Sequence, residues 1–462
     1  MNRTVGLTRI EDRDVFFSFV PDKDLLKLHS GAMDLVFPDG LDTIIGITLE
    51  PEKNVNMLIK VNIPFSNETL SVEGNKTRYV TNCDQNREVE YYIKQYQFGS
   101  KYSKMKLRFP ELDYFLPSGF LRSITDDAVS FPRRRKSLLD FSIQFRDSTV
   151  LVTFEVFAEL SSSGYRFGVQ TVSEVTLTFP ETTDLEYIKS LYLSARNFFS
   201  FIFNRQNIGL RDAIISGTRT VKKREGDNVV DSPAYTEQLF VYNQKFLEPN
   251  EEPKEYGKIS NYKIYSSKIS ELFQLFFEQT KGDMSIVCVN SIHPSFKYRN
   301  LIDLKQSIHI TAAFEYYFRT LLPVAASQTS IEFVNDLRAL LDGYIEKNTG
   351  KKRKKAKRFK DSLEDEKLSL GDKVIKVYTG YDNWETSVPI LSGWFGDDVT
   401  NLAEVINDWR NELAHEKREY EPEESVVKAV RLVEHLNYCI ILRKAGYSND
   451  EIKDILSEVL IR

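Results

Sequence analysis

The chain has 462 residues, of which 41% are hydrophobic and 28% charged, a balance typical of folded soluble proteins rather than disordered ones. That length exceeds what one hydrophobic core usually serves, so we expect two or three domains. The formal net charge of −5 excludes a surface that is basic throughout. Any nucleic-acid contact must therefore use a local basic patch.

The three cysteines, Cys83, Cys288 and Cys439, are scattered and form no CxxC pair, which argues against a disulfide framework and against a zinc site. The N-terminal segment carries charges where a signal peptide would need an apolar run. No stretch approaches the roughly 18 apolar residues of a membrane span. The sequence therefore predicts a cytoplasmic protein that does not use a membrane.

Residues 1–180 predict a series of short β-strands separated by turns. Each segment is rich in β-branched and aromatic residues, and several alternate polar with apolar positions. The predicted strands are Ile44–Leu49, Met57–Phe65, Glu90–Phe98, Lys104–Phe109, Phe141–Phe145 and Thr149–Phe157. Because no helices separate them, we predict an antiparallel, β-sandwich-like N-terminal domain.

Residues 181–290 predict a mixed connecting region. Thr183 and Glu186 form a capping-box pattern, and an apolar helix follows from Tyr187 to Phe203. A strand is expected near Ile208–Ile215, an exposed charged stretch over Lys222–Asp231, and another helix over Ser267–Gln279. We place the next domain boundary near residue 290.

Residues 291–462 predict an all-α bundle, which makes the whole chain an α+β multidomain protein. The expected helices are Leu301–Leu322, Thr329–Lys347, Asn401–His415, Glu423–Lys444 and a short last one that begins with the capping box of Ser448 and Glu451.

A basic run interrupts this helical pattern at residues 351–360. Eight of its ten residues are cationic: Lys351, Lys352, Arg353, Lys354, Lys355, Lys357, Arg358 and Lys360. One interpretation is a mobile arm that binds RNA phosphates, and the other is a solvated loop balanced by the acidic residues after it. Its position inside the bundle domain favours RNA contact.

Glu315 is a second candidate. It falls in line with apolar positions that helical periodicity assigns to the inward stripe of the first bundle helix: Leu304, Ile308, Ala312, Phe318 and Leu322. A carboxylate there would be costly unless it is paired. The simplest partner in the sequence is Arg319, one helical turn further on.

The strongest candidate site is Arg410-Asn411-Glu412-Leu413-Ala414-His415. On an ideal helix Asn411 and His415 share a face, whereas Arg410 and His415 point about 140° apart. The three side chains converge only if the helix ends near His415, if the long arginine wraps round, or if a second copy contributes. A structural alternative is that the helix dipole favours these cations and that nearby glutamates pair with them.

The segment Trp409–His415 resembles the R-N-x-x-x-H signature of HEPN ribonucleases. The order of elements along the chain, a β-rich region followed by a helical bundle, is similar to that of ApeA-like anti-phage proteins. Only the C-terminal motif is matched residue by residue. In the N-terminal part, the similarity lies in the order of predicted elements, notably strands followed by the helix of residues 187–203.

The resemblance implies metal-independent RNA cleavage, in which a ribose 2′-hydroxyl attacks the neighbouring phosphate. In that reaction His415 moves the proton, Arg410 binds the phosphate oxygens, and Asn411 orients the phosphate or the imidazole. The resemblance also implies that Glu315 supports Arg410, and that two chains pair through their HEPN domains as a homodimer.

The sequence therefore predicts an endoribonuclease of abortive anti-phage defence. Its N-terminal domain would sense a phage component, most simply a protein, and the bundle would then cut cellular RNA such as tRNA. The alternative is a non-catalytic HEPN-like module that binds RNA or protein. The chain has no G-x-x-x-x-G-K-[ST], G-x-S-x-G or H-E-x-x-H motif, and neither a metal nor another cofactor is expected.

Overall fold

The computed structural model describes residues 4–460 apart from 11–12, 24, 30–36, 39, 50–53, 66–67, 73–75, 81–85, 117–122, 126–127, 131–134, 164–165, 226–227, 243–258, 279–282, 295–301, 323–327, 363–367, 381–387, 397 and 415–421. The chain packs into two compact units. The first comprises Met1–Phe203, Asn207–Tyr262 and Phe273–Thr280; the second comprises Asn204–Gln206, Lys263–Leu272 and Lys281–Arg462.

The first unit is built on antiparallel β-strands. In chain order they are β1 (Thr4–Ile10), β2 (Arg13–Val20), β3 (Leu25–His29), β4 (Thr43–Thr48), β5 (Val55–Val61), β6 (Glu68–Val72), β7 (Lys76–Val80), β8 (Asn86–Lys94), β9 (Lys101–Leu107), β10 (Ser123–Thr125), β11 (Ala128–Ser130), β12 (Lys136–Phe145), β13 (Ser148–Ser163), β14 (Arg166–Thr182), β15 (Asp212–Glu225) and β16 (Asn228–Tyr242).

Twelve of these strands form one sheet, in the order β12-β13-β14-β9-β15-β16-β8-β3-β2-β1-β4-β5. Strand β5 also pairs with β8, which closes the last six strands of that order into a ring. The hairpins β6–β7 and β10–β11 lie outside this sheet. The predicted antiparallel β architecture is thus confirmed, and it extends to residue 242.

The ring encloses an apolar core because its strands alternate buried and exposed side chains. Phe17 on β2 lies at the centre of this core and is fully buried. Its ring occupies the space beside Gly6 and Gly46, where a Cβ atom would approach within 2.3 and 2.6 Å of the ring carbons. Glycine at these two positions lets the large ring fit between the neighbouring strands.

Strands β15 and β16 form a long hairpin that ends in the stretch Lys222–Asp231. The described residues of this stretch, 222–224 and 229–231, are exposed, as predicted, and Lys222 lies directly opposite Asp231 across the hairpin. Opposite charges facing each other across an antiparallel pair stabilise it, and this cross-strand pairing is not visible as a local alternation in the sequence. The boundaries near residues 180 and 290 stay predictions.

Two helices, α1 (Pro110–Phe115) and α2 (Leu185–Phe203), accompany the strands, together with the part of α3 (Ile269–Glu278) from Phe273 onward. The predicted helix at 187–203 is present, but its N-cap is Asp184 rather than Thr183. The Asp184 carboxylate accepts a hydrogen bond of 2.9 Å from the Glu186 amide. The inner face of α2 is almost wholly apolar, and Phe198 packs against Phe273 with ring centroids 4.5 Å apart.

The second unit is helical. Its helices are α4 (Asp283–Ser291), α5 (Leu304–Leu321), α6 (Gln328–Lys347), α7 (Gly350–Ser362), α8 (Leu370–Thr379), α9 (Val388–Phe395), α10 (Val399–Ala414), α11 (Glu424–Lys444) and α12 (Asn449–Leu460). Helix α11 is buried on nearly all sides and packs along α5 and α10, while α8 packs against α10. The predicted all-α C-terminal region and the α+β fold class are confirmed.

The basic run is a helix, which corrects the expectation of a mobile arm or loop. Gly350, with a φ of +62°, precedes Lys351 in α7, and the helix continues through all eight cationic residues. Lysine and arginine are good helix formers, so local propensity outweighs their mutual repulsion when a neighbouring helix supports them. Ala356 is buried, and Lys360 pairs with Asp342 of α6.

Candidate active site at the end of helix α10

Helix α10 presents Arg410 and Asn411 on its exposed side, close to its C-terminal end. The opposite side of the helix is an apolar stripe in the core, formed by Leu402, Ala403, Ile406 and Trp409. Because the stripe follows helical periodicity, burying Trp409 turns the next two residues outward.

Two contacts fix the rotation and position of α10. The indole Nε1 of Trp409 donates a hydrogen bond of 3.2 Å to the Ser307 hydroxyl on α5, and the tryptophan is 3% exposed. On α8, a Cβ at Gly371 would approach the Ala403 carbonyl oxygen within 2.8 Å. A side chain at this position would therefore push α8 away from α10, and the glycine permits their close approach.

Glu315 of α5 bridges two cationic side chains that come from different helices. Its Oε2 accepts from Nη2 of Arg410 at 3.1 Å, and its Oε1 accepts from Nζ of Lys373 on α8 at 3.0 Å. The Glu315 side chain is 27% exposed, compared with 45% for Arg410 and 20% for Lys373. The carboxylate thus binds one terminal nitrogen of an arginine whose side chain is nearly half exposed.

The electrostatics of this cluster favour a bound anion. Burial raises the pKa of Glu315, but the hydrogen bond and charge of Lys373, together with those of Arg410, outweigh it and lower the pKa below its ordinary value. Glu315 is therefore ionised at neutral pH. Among the described residues, two cations contact this one carboxylate, so the three groups together carry one excess positive charge.

The structure changes the predicted surroundings of Glu315. Leu304 and Ile308 are 37% and 45% exposed, so the part of the predicted stripe that leads to Glu315 faces outward, whereas Phe318 and Leu322 are buried as predicted. The rest of the core face of α5 is formed by Ile310, Ala313, Phe314, Tyr317 and Leu321. The expected pairing with Arg319 is absent among the described residues; the Arg319 guanidinium lies 5.9 Å from the ring centroid of Tyr316.

The predicted trio is only partly described. Arg410 and Asn411 are described, and α10 ends at Ala414, directly before His415 in the sequence. His415 lies outside the described residues, so the convergence of the three side chains stays a prediction. Within the described part of the chain, Arg410 pairs with Glu315 and not with Glu412.

Sequence reasoning missed Lys373. The available signal was the capping box that begins α8: the Ser369 hydroxyl accepts from the Asp372 amide, and the Asp372 carboxylate accepts from the Ser369 amide. That pattern fixes the start of the helix, and Gly371 within its first turn marks the close approach to α10. Lys373, the next residue after the box, faces Glu315.

The eight cationic residues predicted to bind RNA lie on α7, which packs against α6. Seven are exposed, and Lys360 is half-buried beside Asp342. Across the described ranges, no cluster of three or more His, Cys, Asp or Glu side chains could hold a metal ion. None of the described helices is long and apolar enough to cross a bilayer.

Part of the helical unit matches a known protein family. Residues 308–451 match the family model described as Apea-like HEPN. This helical region is an ApeA-like HEPN domain. The match begins within α5, ends within α12, and includes Glu315, Lys373 and Arg410 of the candidate site. HEPN domains are typically ribonucleases. The resemblance noted for the C-terminal motif is thus confirmed for this region.

No curated protein and no solved structure gave a significant match to the chain.

Proposed function

We propose that the HEPN domain is a metal-independent endoribonuclease whose catalytic residues are Arg410, Asn411 and His415. The observation that carries this proposal is the placement of Arg410. Its terminal Nη2 donates to the partly buried carboxylate of Glu315, and the side chain remains 45% exposed. An arginine held in this way can direct its remaining N–H donors at a phosphate without first having to become ordered.

In the proposed reaction, the ribose 2′-oxygen attacks the adjacent phosphorus. The 2′-oxygen–phosphorus bond forms, the bond from phosphorus to the 5′-oxygen breaks, and the products are a 2′,3′-cyclic phosphate and a 5′-hydroxyl. His415 accepts the 2′-hydroxyl proton and then donates a proton to the leaving 5′-oxygen, since imidazole titrates near neutral pH. Arg410 stabilises the additional negative charge on the phosphorane oxygens. Asn411 orients the phosphate or the imidazole.

Glu315 and Lys373 are positioning residues in this proposal. Glu315 orients Arg410, and Lys373 compensates part of the carboxylate charge that would otherwise weaken the attraction of Arg410 for phosphate. The cationic residues 351–360 of α7 supply additional phosphate contacts, which makes RNA binding dependent on salt.

We further propose that the domain pairs with a second copy through the exposed stripe of α5. Leu304 and Ile308 are apolar and exposed, and Ala312 continues the stripe to Glu315 beside Arg410. An open, mainly apolar depression lies along this stripe, lined by Asp303, Leu304, Lys305, Ile308 and His309. An interface here would bring two copies of the R-N-x-x-x-H segment close together. Such a composite site would resolve the divergence of Arg410 and His415 on a single helix.

At the level of the cell, we propose an effector of abortive anti-phage defence. The β-rich region would respond to a phage component, most simply a protein, and the HEPN domain would then cut cellular RNA such as tRNA. The ApeA-like character of the HEPN domain supports this assignment. The nuclease must be restrained before infection, because unrestrained RNA cleavage would harm the host.

The test compares wild type with His415→Ala on total RNA in the presence of a chelator. We expect wild type to produce fragments with 2′,3′-cyclic phosphate ends, and the variant to cut about 10² to 10⁴ times more slowly. Equal cleavage by both proteins would remove His415 from the mechanism. If neither protein cuts RNA and both are equally harmless during phage challenge, the domain is a non-catalytic RNA- or protein-binding module instead.

A further inference from the structure

Helices α6 and α7 form an antiparallel hairpin within the HEPN domain. The two helices pack against each other, with Ala356 buried and Lys360 paired to Asp342. On α7, the side that faces α6 therefore includes Ala356 and Lys360. On α6, the half-buried positions Arg338, Leu341 and Ile345 mark the side that faces α7.

Large apolar side chains of α6 remain exposed on this hairpin. Phe333 is 62% exposed, Leu340 72% and Tyr344 46%. They lie seven and four residues apart, with the half-buried Leu337 between the first two, so they share one stripe of the helix. Several exposed large apolar side chains along one stripe are a feature of interaction surfaces.

Phe359 of α7, which is 58% exposed, belongs to the same surface. At about 100° per residue, Phe359 is rotated about 80° around the α7 axis from the direction that points to α6. The exposed stripe of α6 is rotated around its own axis in the same direction from the line that points to α7. Because the two helices are antiparallel, equal directions of rotation place both groups of side chains on the same flank of the hairpin. The exposed lysines Lys355 and Lys352 lie beside Phe359, the first one turn and the second two turns earlier in α7. We name Phe333, Leu340, Tyr344 and Phe359 the aromatic flank.

The charge of α7 restricts what can bind the aromatic flank. Seven exposed cations lie around α7, among them Lys352 and Lys355 on this flank, so a second copy placed here would bring two cationic helices together. A partner with regular negative charge and flat apolar faces fits better. Unpaired RNA has both, because its phosphates repeat along the strand and its bases expose π-faces to aromatic side chains.

We infer that the aromatic flank binds unpaired RNA, stacking bases on Phe359, Tyr344 and Phe333 while Lys352 and Lys355 contact the phosphates. This inference rests on the proposed ribonuclease function, since it names the class of RNA that the domain selects. A duplex hides its base faces, so it gains only the phosphate contacts. The surface thus favours loops and single strands over paired segments before any chemistry occurs.

The experiment measures binding of the full chain to two probes of equal length: a 20-nucleotide single strand of 2′-O-methyl RNA, and the corresponding duplex. Blocking the 2′-oxygen prevents cleavage, so binding is read independently of catalysis. We expect Tyr344→Ser/Phe359→Ser to weaken single-strand binding about 5- to 100-fold and duplex binding less than twofold. Phe98→Ser, at a position 67% exposed in the β-rich unit, is the matched control and should change neither.

Replacing the two lysines separates charge from stacking. Lys352→Gln/Lys355→Gln should weaken both probes and lower the salt slope of single-strand binding by about 1 to 1.5. Unchanged single-strand binding by the aromatic variant, or an equal loss for both probes, overturns the inference. So does an aromatic variant that keeps its RNA affinity but loses binding to vesicles containing phosphatidylglycerol, or that changes the oligomeric state.

The inference and the proposed function can fail separately. A protein that binds the single strand through the aromatic flank but cuts no RNA retains the inference and loses the nuclease. A protein that cuts RNA, and whose aromatic variant binds the single strand as wild type does, retains the nuclease and loses the inference.

Discussion

A glutamate lies between two cationic side chains in each compact unit of this protein, and the two clusters balance their charges differently. In the β-rich unit, Glu174 is fully buried and accepts hydrogen bonds of 2.6 Å from both Arg108 and Arg135. Each arginine also pairs with a further carboxylate, Glu159 or Glu155. Three carboxylates thus face two guanidinium groups.

In the HEPN domain, Glu315 pairs with both Arg410 and Lys373, and within the described ranges neither cation pairs with a second carboxylate. The arginines of the β-rich cluster lie over the ring of Phe157, 4.2 Å from its centroid for Arg135 and 5.1 Å for Arg108. Exposure does not separate the two clusters, since the side chain of Arg135 is 43% exposed and that of Arg410 45%. A carboxylate between cations therefore does not by itself mark a functional site. Within the described ranges, Arg410 donates from Nη2 to one carboxylate, whereas each arginine of the β-rich cluster pairs with two.

The first prediction concerns the contribution of each glutamate to the stability of the fold. Glu174→Gln should lower the free energy of unfolding by about 2 to 3 kcal/mol, because two guanidinium groups lose a buried partner while keeping some solvent. Glu315→Gln should lower it by less than about 1 kcal/mol, since all three side chains are partly exposed. Urea denaturation of the two variants checks the contrast. An equal loss in both would mean that the two clusters have the same structural role.

The second prediction reverses the order of the two variants. Glu315→Gln should reduce RNA cleavage about 10- to 50-fold, because Arg410 loses the charge that orients it, and Glu315→Asp should recover part of the rate. Glu174→Gln, assayed at a temperature where it stays folded, should cut RNA as wild type does. Single-turnover rates measured across pH give a further readout. The pH–rate profile, which we attribute to His415, should have the same shape in Glu315→Gln as in wild type. A larger effect from Glu174→Gln would contradict the assignment.

Several features of this contrast were accessible from the sequence. Alternating patterns predicted strands such as β4 and β13, and helical periodicity predicted α5, α6 and α11 within a few residues. The R-N-x-x-x-H segment predicted where the site lies, on the basis of its residue types and its position between two helices.

Other features could not be predicted because they depend on contacts between distant segments. Lys373 lies 58 residues from Glu315 in the sequence, and only the packing of α8 against α10 and α5 brings them together. Helical periodicity also predicts two adjacent apolar stripes on α5, and it does not indicate which of them is buried in the core. The stripe with Phe314 and Tyr317 is buried, and the stripe with Leu304 and Ile308 is exposed.

That exposed stripe gives the third prediction, which compares exposed isoleucines in the two units. Ile308→Glu should raise the dissociation constant of the dimer at least about tenfold, because it places a charge in the proposed interface. Ile47→Glu, at a position 46% exposed on β4 compared with 45% for Ile308, should leave it unchanged. Analytical ultracentrifugation of both variants measures the effect. A monomeric wild type, or equal effects from the two variants, would remove the α5 interface.

The smallest expected effect is the change with pH in the stabilisation that Glu174 provides. The pKa of Glu174 is lowered because its hydrogen bonds and charge contacts with Arg135 and Arg108 outweigh the burial that would raise it. A lowered pKa in the folded state means that the stabilisation is present above the ordinary value of 4.5 and is lost as the pH falls below it. The difference in unfolding free energy between wild type and Glu174→Gln should therefore shrink between pH 6 and pH 3. Urea titrations at several pH values check this, and a constant difference would contradict it.

The most direct test of the central claim is the single-turnover rate of RNA cleavage by Arg410→Lys. This variant keeps the positive charge and can still pair with Glu315, but it lacks the fork of donors that binds two phosphate oxygens. If Arg410 contacts the reacting phosphate, the rate should fall about 10²-fold or more while the free energy of unfolding stays within about 0.5 kcal/mol of wild type. Cleavage at the wild-type rate by Arg410→Lys would show that the unused donors of Arg410 do not serve catalysis, and would contradict the account.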